Sequence, residues 1–306
     1  MTPTVLRHGD LVALVATSGW VPPERAHASA QVLAGWGLRV RIGPHALNRH
    51  FYLAGTDAER LADFNDAFRD PEVRAVLCMR GGHGAQRIVD GIDFAAVRAD
   101  PKLMLGFSDI TALHVAMWCE TRLPTVHAPM AGGQLDDGPD NLTWHGIRRA
   151  LMSTEPIVVT ADEKQDTYEV RVAGRAEGIL FGGNLTMLAS TAGTRHTPDL
   201  RGAILLIEAV HEEPYRVDRS IMQLKRAGWF DGIAGVAVGQ FTGCVDTGPS
   251  PTVQQVLAEQ LAALDVPVLG GLPIGHGEHQ IAVGLGVPAV LDADRGTLTV
   301  QPAGHE

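Results

Sequence analysis

The sequence predicts an α/β protein in two parts: an N-terminal parallel-sheet βα domain over residues 1–150 and a smaller C-terminal α/β domain over residues 151–306. Three observations carry this reading. Short aliphatic runs alternate with longer helix-like stretches through the first half, the pattern of βα units around a parallel sheet. At 306 residues the chain is long enough for two domains of ordinary size, each with its own core. A polar, turn-rich stretch, Gly132 to Pro139, precedes a helix-like run from Asn141 to Met152 and a charged segment around Glu163, where the boundary is expected.

In order, LVALVAT from Leu11 reads as a strand, Pro22 to Trp36 as a helix, LRVRIG from Leu38 as a strand, Ala58 to Arg69 as a helix, and VRAVLCM from Val73 as a buried strand. KLMLGFS from Lys102 is a further strand that runs straight into an apolar helix from Asp109 to Glu120. The second half carries the strands GILFGG, GAILLIEA and GVAVGQ, and helices over Val217 to Ala227 and Thr252 to Leu264, with no internal repeat. A parallel layout of this kind binds ligands at the carboxyl ends of its strands. Both Arg80-Gly81-Gly82 and Gly106-Phe107-Ser108 stand at such ends.

Composition narrows the partners. Hydrophobic residues are 45% of the chain, charged ones 20%, and mean hydropathy is near zero. No apolar run approaches the ~18 residues of a membrane helix, so no membrane partner is expected. Arg7, His8 and Asp10 precede a short strand-like apolar run, which is not the layout of a secretory leader, and a cytoplasmic location is expected. The three cysteines, Cys78, Cys119 and Cys244, have neither CxxC nor Cys/His ligand spacing. They read as reduced core residues, with no disulfide framework, metal or cofactor. A formal net charge of −10 opposes nucleic-acid backbones and leaves a small molecule or peptide as partner.

Ser108 ends a strand and is followed at once by a helix, a placement that holds a hydroxyl on a tight turn beside free backbone N–H groups and a positive dipole end. A helix N-cap is the other reading, and G-F-S-D-I lacks the second glycine of G-x-S-x-G. The loop Arg80-Gly81-Gly82-His83-Gly84 lets backbone approach a ligand, either to give an oxyanion donor beside the N–H of Asp109 or as a phosphate-binding or plain connecting turn. Neither dinucleotide nor P-loop spacing accompanies it. His276 closes the apolar lead of Leu272-Pro273-Ile274-Gly275 and is displayed between glycines, as a general base is; His279 competes with it. Glu208 ends the run Ala203 to Ile207, so a charge emerges from a buried strand and needs a partner. An imidazole serves, and so does Arg216 or Arg219 in a structural ion pair.

Together G-F-S-D-I-T-A-L (Gly106 to Leu113), R-G-G-H-G (Arg80 to Gly84), G-G-N-L (Gly182 to Leu185), L-L-I-E (Leu205 to Glu208), Y-R-V-D-R (Tyr215 to Arg219) and P-I-G-H (Pro273 to His276) resemble the LD-carboxypeptidases, in that family's order and over nearly the whole chain. The resemblance implies a flavodoxin-like N-terminal sandwich with a second α/β domain, and a triad of Ser108, His276 and Glu208. It also implies a homodimer and the release of terminal D-alanine from cytoplasmic murein tetrapeptides in wall recycling. On that reading the N–H groups of Gly82 and Asp109 form the oxyanion hole, Arg80 is a candidate for the terminal carboxylate, and Asn184 for a further substrate bond or a turn. Two positions depart from the family, which commonly has tyrosine where His83 and Phe107 stand. The same superfamily holds the microcin C immunity peptidases, which cleave an aminoacyl-nucleotide conjugate. A two-domain small-molecule binding protein is the non-enzymatic alternative.

Overall fold

A computed structural model describes residues 2–130, 142–245 and 251–306, so the Gly132 to Pro139 stretch lies outside the described residues. The chain divides into two compact units, Met1–Thr154 with Pro302–Glu306, and Glu155–Gln301. The tail joins the first unit through backbone bonds from His305 N to Pro3 O at 3.0 Å and from Val5 N to His305 O at 2.8 Å.

The first unit runs β1 (Leu11–Val15), α1 (Pro23–Gly35), β2 (Arg39–Ile42), α2 (Asp57–Arg69), β3 (Val73–Cys78), α3 (Phe94–Ala99), β4 (Leu103–Gly106), α4 (Thr111–Thr121), β5 (Thr125–His127) and α5 (Leu142–Met152). Its strands lie in the order β2-β1-β3-β4-β5, every pair parallel. That order is the flavodoxin-like one, with its switch point at β1 and β3. β1, β3 and β4 are almost wholly buried, which is why their sequences are continuous apolar runs. β2 turns its arginines outward, where Arg41 Nη1 meets Asp70 Oδ2 at 2.6 Å and Arg39 meets Glu72 at 3.3 Å. Charged side chains on an edge discourage further strand pairing. α2 begins at a capping box: Thr56 N donates to Glu59 Oε2 at 2.7 Å, and Glu59 N donates to Thr56 Oγ1 at 3.3 Å.

The second unit runs β6 (Ile157–Thr160), β7 (Arg171–Val172), β8 (Arg175–Asn184), α6 (Leu185–Thr191), β9 (Ile204–Val210), α7 (Pro214–Arg226), β10 (Gly235–Thr242), α8 (Val253–Ala262), β11 (Val268–Leu269), β12 (Val283–Leu285), β13 (Val287–Asp292) and β14 (Thr297–Val300). An eight-stranded sheet takes the order β6-β14-β13-β8-β9-β10-β11-β7. Its centre, β8 to β11, is parallel, and β7, β13, β14 and β6 are antiparallel to their neighbours. α7 starts three residues ahead of the expected Val217 because Pro214 occupies the first helical turn, where its missing N–H costs nothing. No helix among the described residues is long and apolar enough to cross a membrane.

Candidate active site

In the first unit, β4 ends at Gly106, Phe107 is extended, and Ser108, in the left-handed region at φ +62°, opens a short 3₁₀ turn (Ser108–Ile110) that leads into α4. A non-glycine residue there costs about 1–2 kcal/mol, a strain that collects at functional positions. The cap position of the turn is Phe107 and no side chain caps it, so Ser108 does not serve as the helix cap. A Cβ on Gly81 would lie 2.9 Å from Ser108 Cβ and 3.1 Å from its Oγ, so only glycine allows the R-G-G loop to pass so close to the serine. A Cβ at Gly106, the first glycine of the G-x-S-x-G pattern, would press on the side chain of Ile110, which stands where that pattern has its second glycine.

Two buried side chains bind the neighbouring loops into one piece. The Asp109 carboxylate, 3% exposed, accepts from Ser18 Oγ at 2.6 Å and from Ala85 N at 2.8 Å, both at Oδ2. It thereby links the turn after β4 to the loops after β1 and β3. Arg60, on α2 and 1% exposed, donates to Thr17 O and to Gly84 O, the latter at 2.9 Å, and pairs with Asp57 at 2.5 Å. Gly82 is exposed at φ +108°. Arg80 Nη1 donates to Trp20 O at 2.7 Å. His83 is exposed with Tyr52 edge-on to it, ring centroids 5.6 Å apart, and Phe107 stands edge-on to His127 at 5.8 Å. Asp57 apart, which lies three residues from Arg60, the partners of Asp109 and Arg60 are backbone groups and a serine distant in sequence, and no spacing announces them.

In the second unit, β9 delivers Glu208 fully buried, and His276 Nδ1 stands 2.6 Å from its Oε2. A carboxylate only accepts, so Nδ1 carries the proton of that bond and Nε2 of a neutral ring is left as the basic nitrogen. The arginine alternatives fall away: Arg216 pairs with Glu213 at 3.1 Å, and Arg219 lies over the Tyr215 ring at 5.2 Å. Gly275, at φ +137°, sits where a Cβ would lie 3.1 Å from Glu208 Oε2. Gln240, at the end of β10 and 3% exposed, clamps the histidine loop from both sides. Its Oε1 accepts from Gly277 N at 2.7 Å and its Nε2 donates to His279 O at 3.2 Å. His279 itself is exposed. Asn184 lies level with Glu208 on the neighbouring strand, and its Oδ1 accepts from Met187 N at 3.2 Å to cap α6.

The thiols are poor nucleophiles. Burial pushes Cys78 up to about 12 and Cys119 and Cys244 up to about 11, so none is a thiolate near neutral pH. Among the described residues no group of three His, Cys, Asp or Glu side chains is placed to hold a metal ion.

The first unit thus carries a strained serine on a strand-to-helix turn, and the second a buried carboxylate–imidazole pair. The chain belongs to the LD-carboxypeptidase family: the sequence model of that family's N-terminal domain matches residues 12–128 and that of its C-terminal domain residues 177–291. It is 39% identical to the "Probable murein peptide carboxypeptidase" of Bacillus subtilis, over 98% of this chain and 94% of that one. It is 34% identical to the murein tetrapeptide carboxypeptidase of Pseudomonas aeruginosa, over 93% and 94%. Among solved structures, the microcin C7 self-immunity protein MccF in complex with aspartyl sulfamoyl adenosine superposes with a TM-score of 0.88, 24% identity and full coverage of both chains, a likeness of fold.

Proposed function

We propose that this protein is a serine carboxypeptidase that cuts an L-to-D amide bond and releases the terminal D-alanine of a murein tetrapeptide. One observation carries the chemistry: the buried Glu208 carboxylate holds Nδ1 of His276 and leaves Nε2 basic, the state a serine nucleophile needs in its base. Ser108 attacks the amide carbonyl while its proton passes to His276 Nε2. That proton then goes to the departing amine of D-alanine, and water frees the acyl group from Ser108 by the same route in reverse. The N–H groups of Asp109 and Gly82 stabilise the oxyanion, each such donor being worth on the order of 3 kcal/mol. Arg80 receives the terminal carboxylate and Asn184 contacts the peptide. The substrate follows the relatives of 34–39% identity, which are named for murein peptides, and the likeness to MccF supports only the fold. A homodimer in the cytoplasm completes the reading.

Mass spectrometry of products from purified murein tetrapeptide, with an aminoacyl sulfamoyl adenosine alongside, tests the proposal in a buffer containing EDTA. Tripeptide plus free alanine is expected with the wild-type chain and neither product with Ser108→Ala. Cleavage of the conjugate alone would move the chain to the immunity-peptidase reading.

A further inference from the structure

The loop between β2 and α2 holds a conformation that folding alone does not explain. Phe51 lies at φ +53°, a left-handed backbone that a bulky side chain adopts only at a cost, and it is 77% exposed. Its ring leans on the exposed His50, centroids 4.4 Å apart, and Tyr52 beside it is 58% exposed. The strain lowers the stability of the folded chain, and rings left this exposed gain little burial on folding to offset it. Such breaches of local preference gather where a chain meets something outside itself.

The position of the loop says what it meets. Ala54 N donates to Ser18 O at 2.9 Å, and Leu53 bridges Gly19. Gly19 N in turn donates at 3.0 Å to the carbonyl of Gly81, the glycine against which Ser108 packs. Tyr52 is edge-on to His83, two residues past Gly81. The aromatic pair therefore stands one loop away from the candidate nucleophile, among the loops that follow the parallel strands, where sheets of this order take ligands.

We propose that Phe51 and Tyr52 form the stacking wall of an extended substrate subsite, which takes the amino-sugar ring that a murein peptide carries at the end remote from its scissile bond. The inference rests on the murein-peptide reading above. A pyranose ring presents C–H groups on its face, which pack on an aromatic ring, and hydroxyls and an acetamide on its rim. The flanking His50 and His83 imidazoles supply hydrogen-bonding groups for that rim. A free tetrapeptide of alanine, glutamate and a diamino acid has no ring to stack.

The test compares kcat/KM for N-acetylmuramyl tetrapeptide and for the sugar-free tetrapeptide, in the wild-type chain and in Phe51→Gly. Glycine removes the ring and suits φ +53°, so a melting midpoint no lower than the wild type's is expected and the variant folds. The readout is the ratio between the two substrates, which a general loss of activity does not move. A wild-type preference of about tenfold for the sugar-bearing substrate, falling to about one in Phe51→Gly, supports the subsite. Calorimetric titration of both peptides into Ser108→Ala should show the same preference in binding. Equal ratios in the wild type, or a preference that survives Phe51→Gly, overturn the inference while leaving the murein reading intact; failure of the wild type to cleave either peptide removes both. Conversion of a dimer to a monomer by Phe51→Gly in sedimentation would assign the wall to subunit association instead, and so overturn the proposal.

Discussion

At Ser108 the backbone and the side chain ask for different residues. The φ of +62° is suited to glycine, and the hydroxyl is what a nucleophile requires. Ser108→Gly is expected to leave the fold as stable as the wild type or up to about 1 kcal/mol more so, and to abolish turnover. Ser108→Ala, which keeps the strain, is expected to lower turnover by several orders of magnitude with stability near the wild type's. Denaturant unfolding beside a turnover assay checks both, and retained activity in either variant would remove Ser108 from its role. The next residue is a different case. Asp109→Ala would leave the Ser18 hydroxyl and the Ala85 N–H buried without their acceptor, at about 1–3 kcal/mol each, and would loosen the glycine loop against the serine. Asp109→Asn retains an oxygen able to accept both bonds, so it is expected to recover most of the stability and a larger share of kcat than Ala does. Equal losses in the two variants would show that the charge, not the geometry, matters at this position. Ser108, Glu208 and His276 stand out in the sequence as candidates because chain direction places them at strand ends and in a glycine-flanked loop, and the resemblance to a family joins them into a triad. The bracing by Asp109, Arg60 and Gln240 does not, since each joins segments whose proximity only folding creates.

At the scale of an element, α4 supports the serine turn from below through a buried histidine. His114 is fully buried and its Nε2 lies 2.9 Å from Gly106 O. A carbonyl accepts, so Nε2 bears hydrogen, and Nδ1 has no hydrogen-bond partner among the described residues. Burial pulls the imidazole from its ordinary 6.5 down to about 4. The folded chain therefore binds fewer protons than the unfolded one between those values. The contribution to stability is complete above pH 6.5 and falls away as pH drops towards 4, by about 3 kcal/mol in all. His114→Gln keeps a donor for Gly106 and has no titration. Unfolding free energies at pH 7 and pH 4.5 should then differ by about 2–3 kcal/mol less in His114→Gln than in the wild type, with the carboxylates common to both cancelling. An unchanged difference would mean that His114 is not held neutral. Elements with strong internal signals, the apolar runs of β1, β3, β4 and β9 and the long helices, stand close to where the pattern puts them. β5, β7 and β11, of two or three residues, are too short to show a period, and their existence depends on a neighbouring strand that offers hydrogen bonds.

For the whole molecule, the proposed nucleophile belongs to one unit and the Glu208–His276 pair to the other. If the three act as one device, removing a second member after the first costs little more. Ser108→Ala with His276→Ala is expected to be about as slow as either alone, and Glu208→Gln to be slow with substrate binding largely kept. Additive losses in the double variant, or near-normal turnover in Glu208→Gln, would break the device apart. The sequence alone determined the class of fold, the two-part organisation and the identity of the residues with chemical potential, because hydrophobic period, glycine placement and charge at the end of an apolar strand are local properties carried by consecutive residues. Tertiary structure decided which alternative each of them takes. It put Ser108 in the left-handed region instead of at a helix cap, gave Glu208 to His276 instead of to Arg216 or Arg219, and left Phe51 strained and exposed. Those outcomes depend on which distant segments meet, and a partner brought in across the fold has no fixed spacing in the chain by which to be recognised.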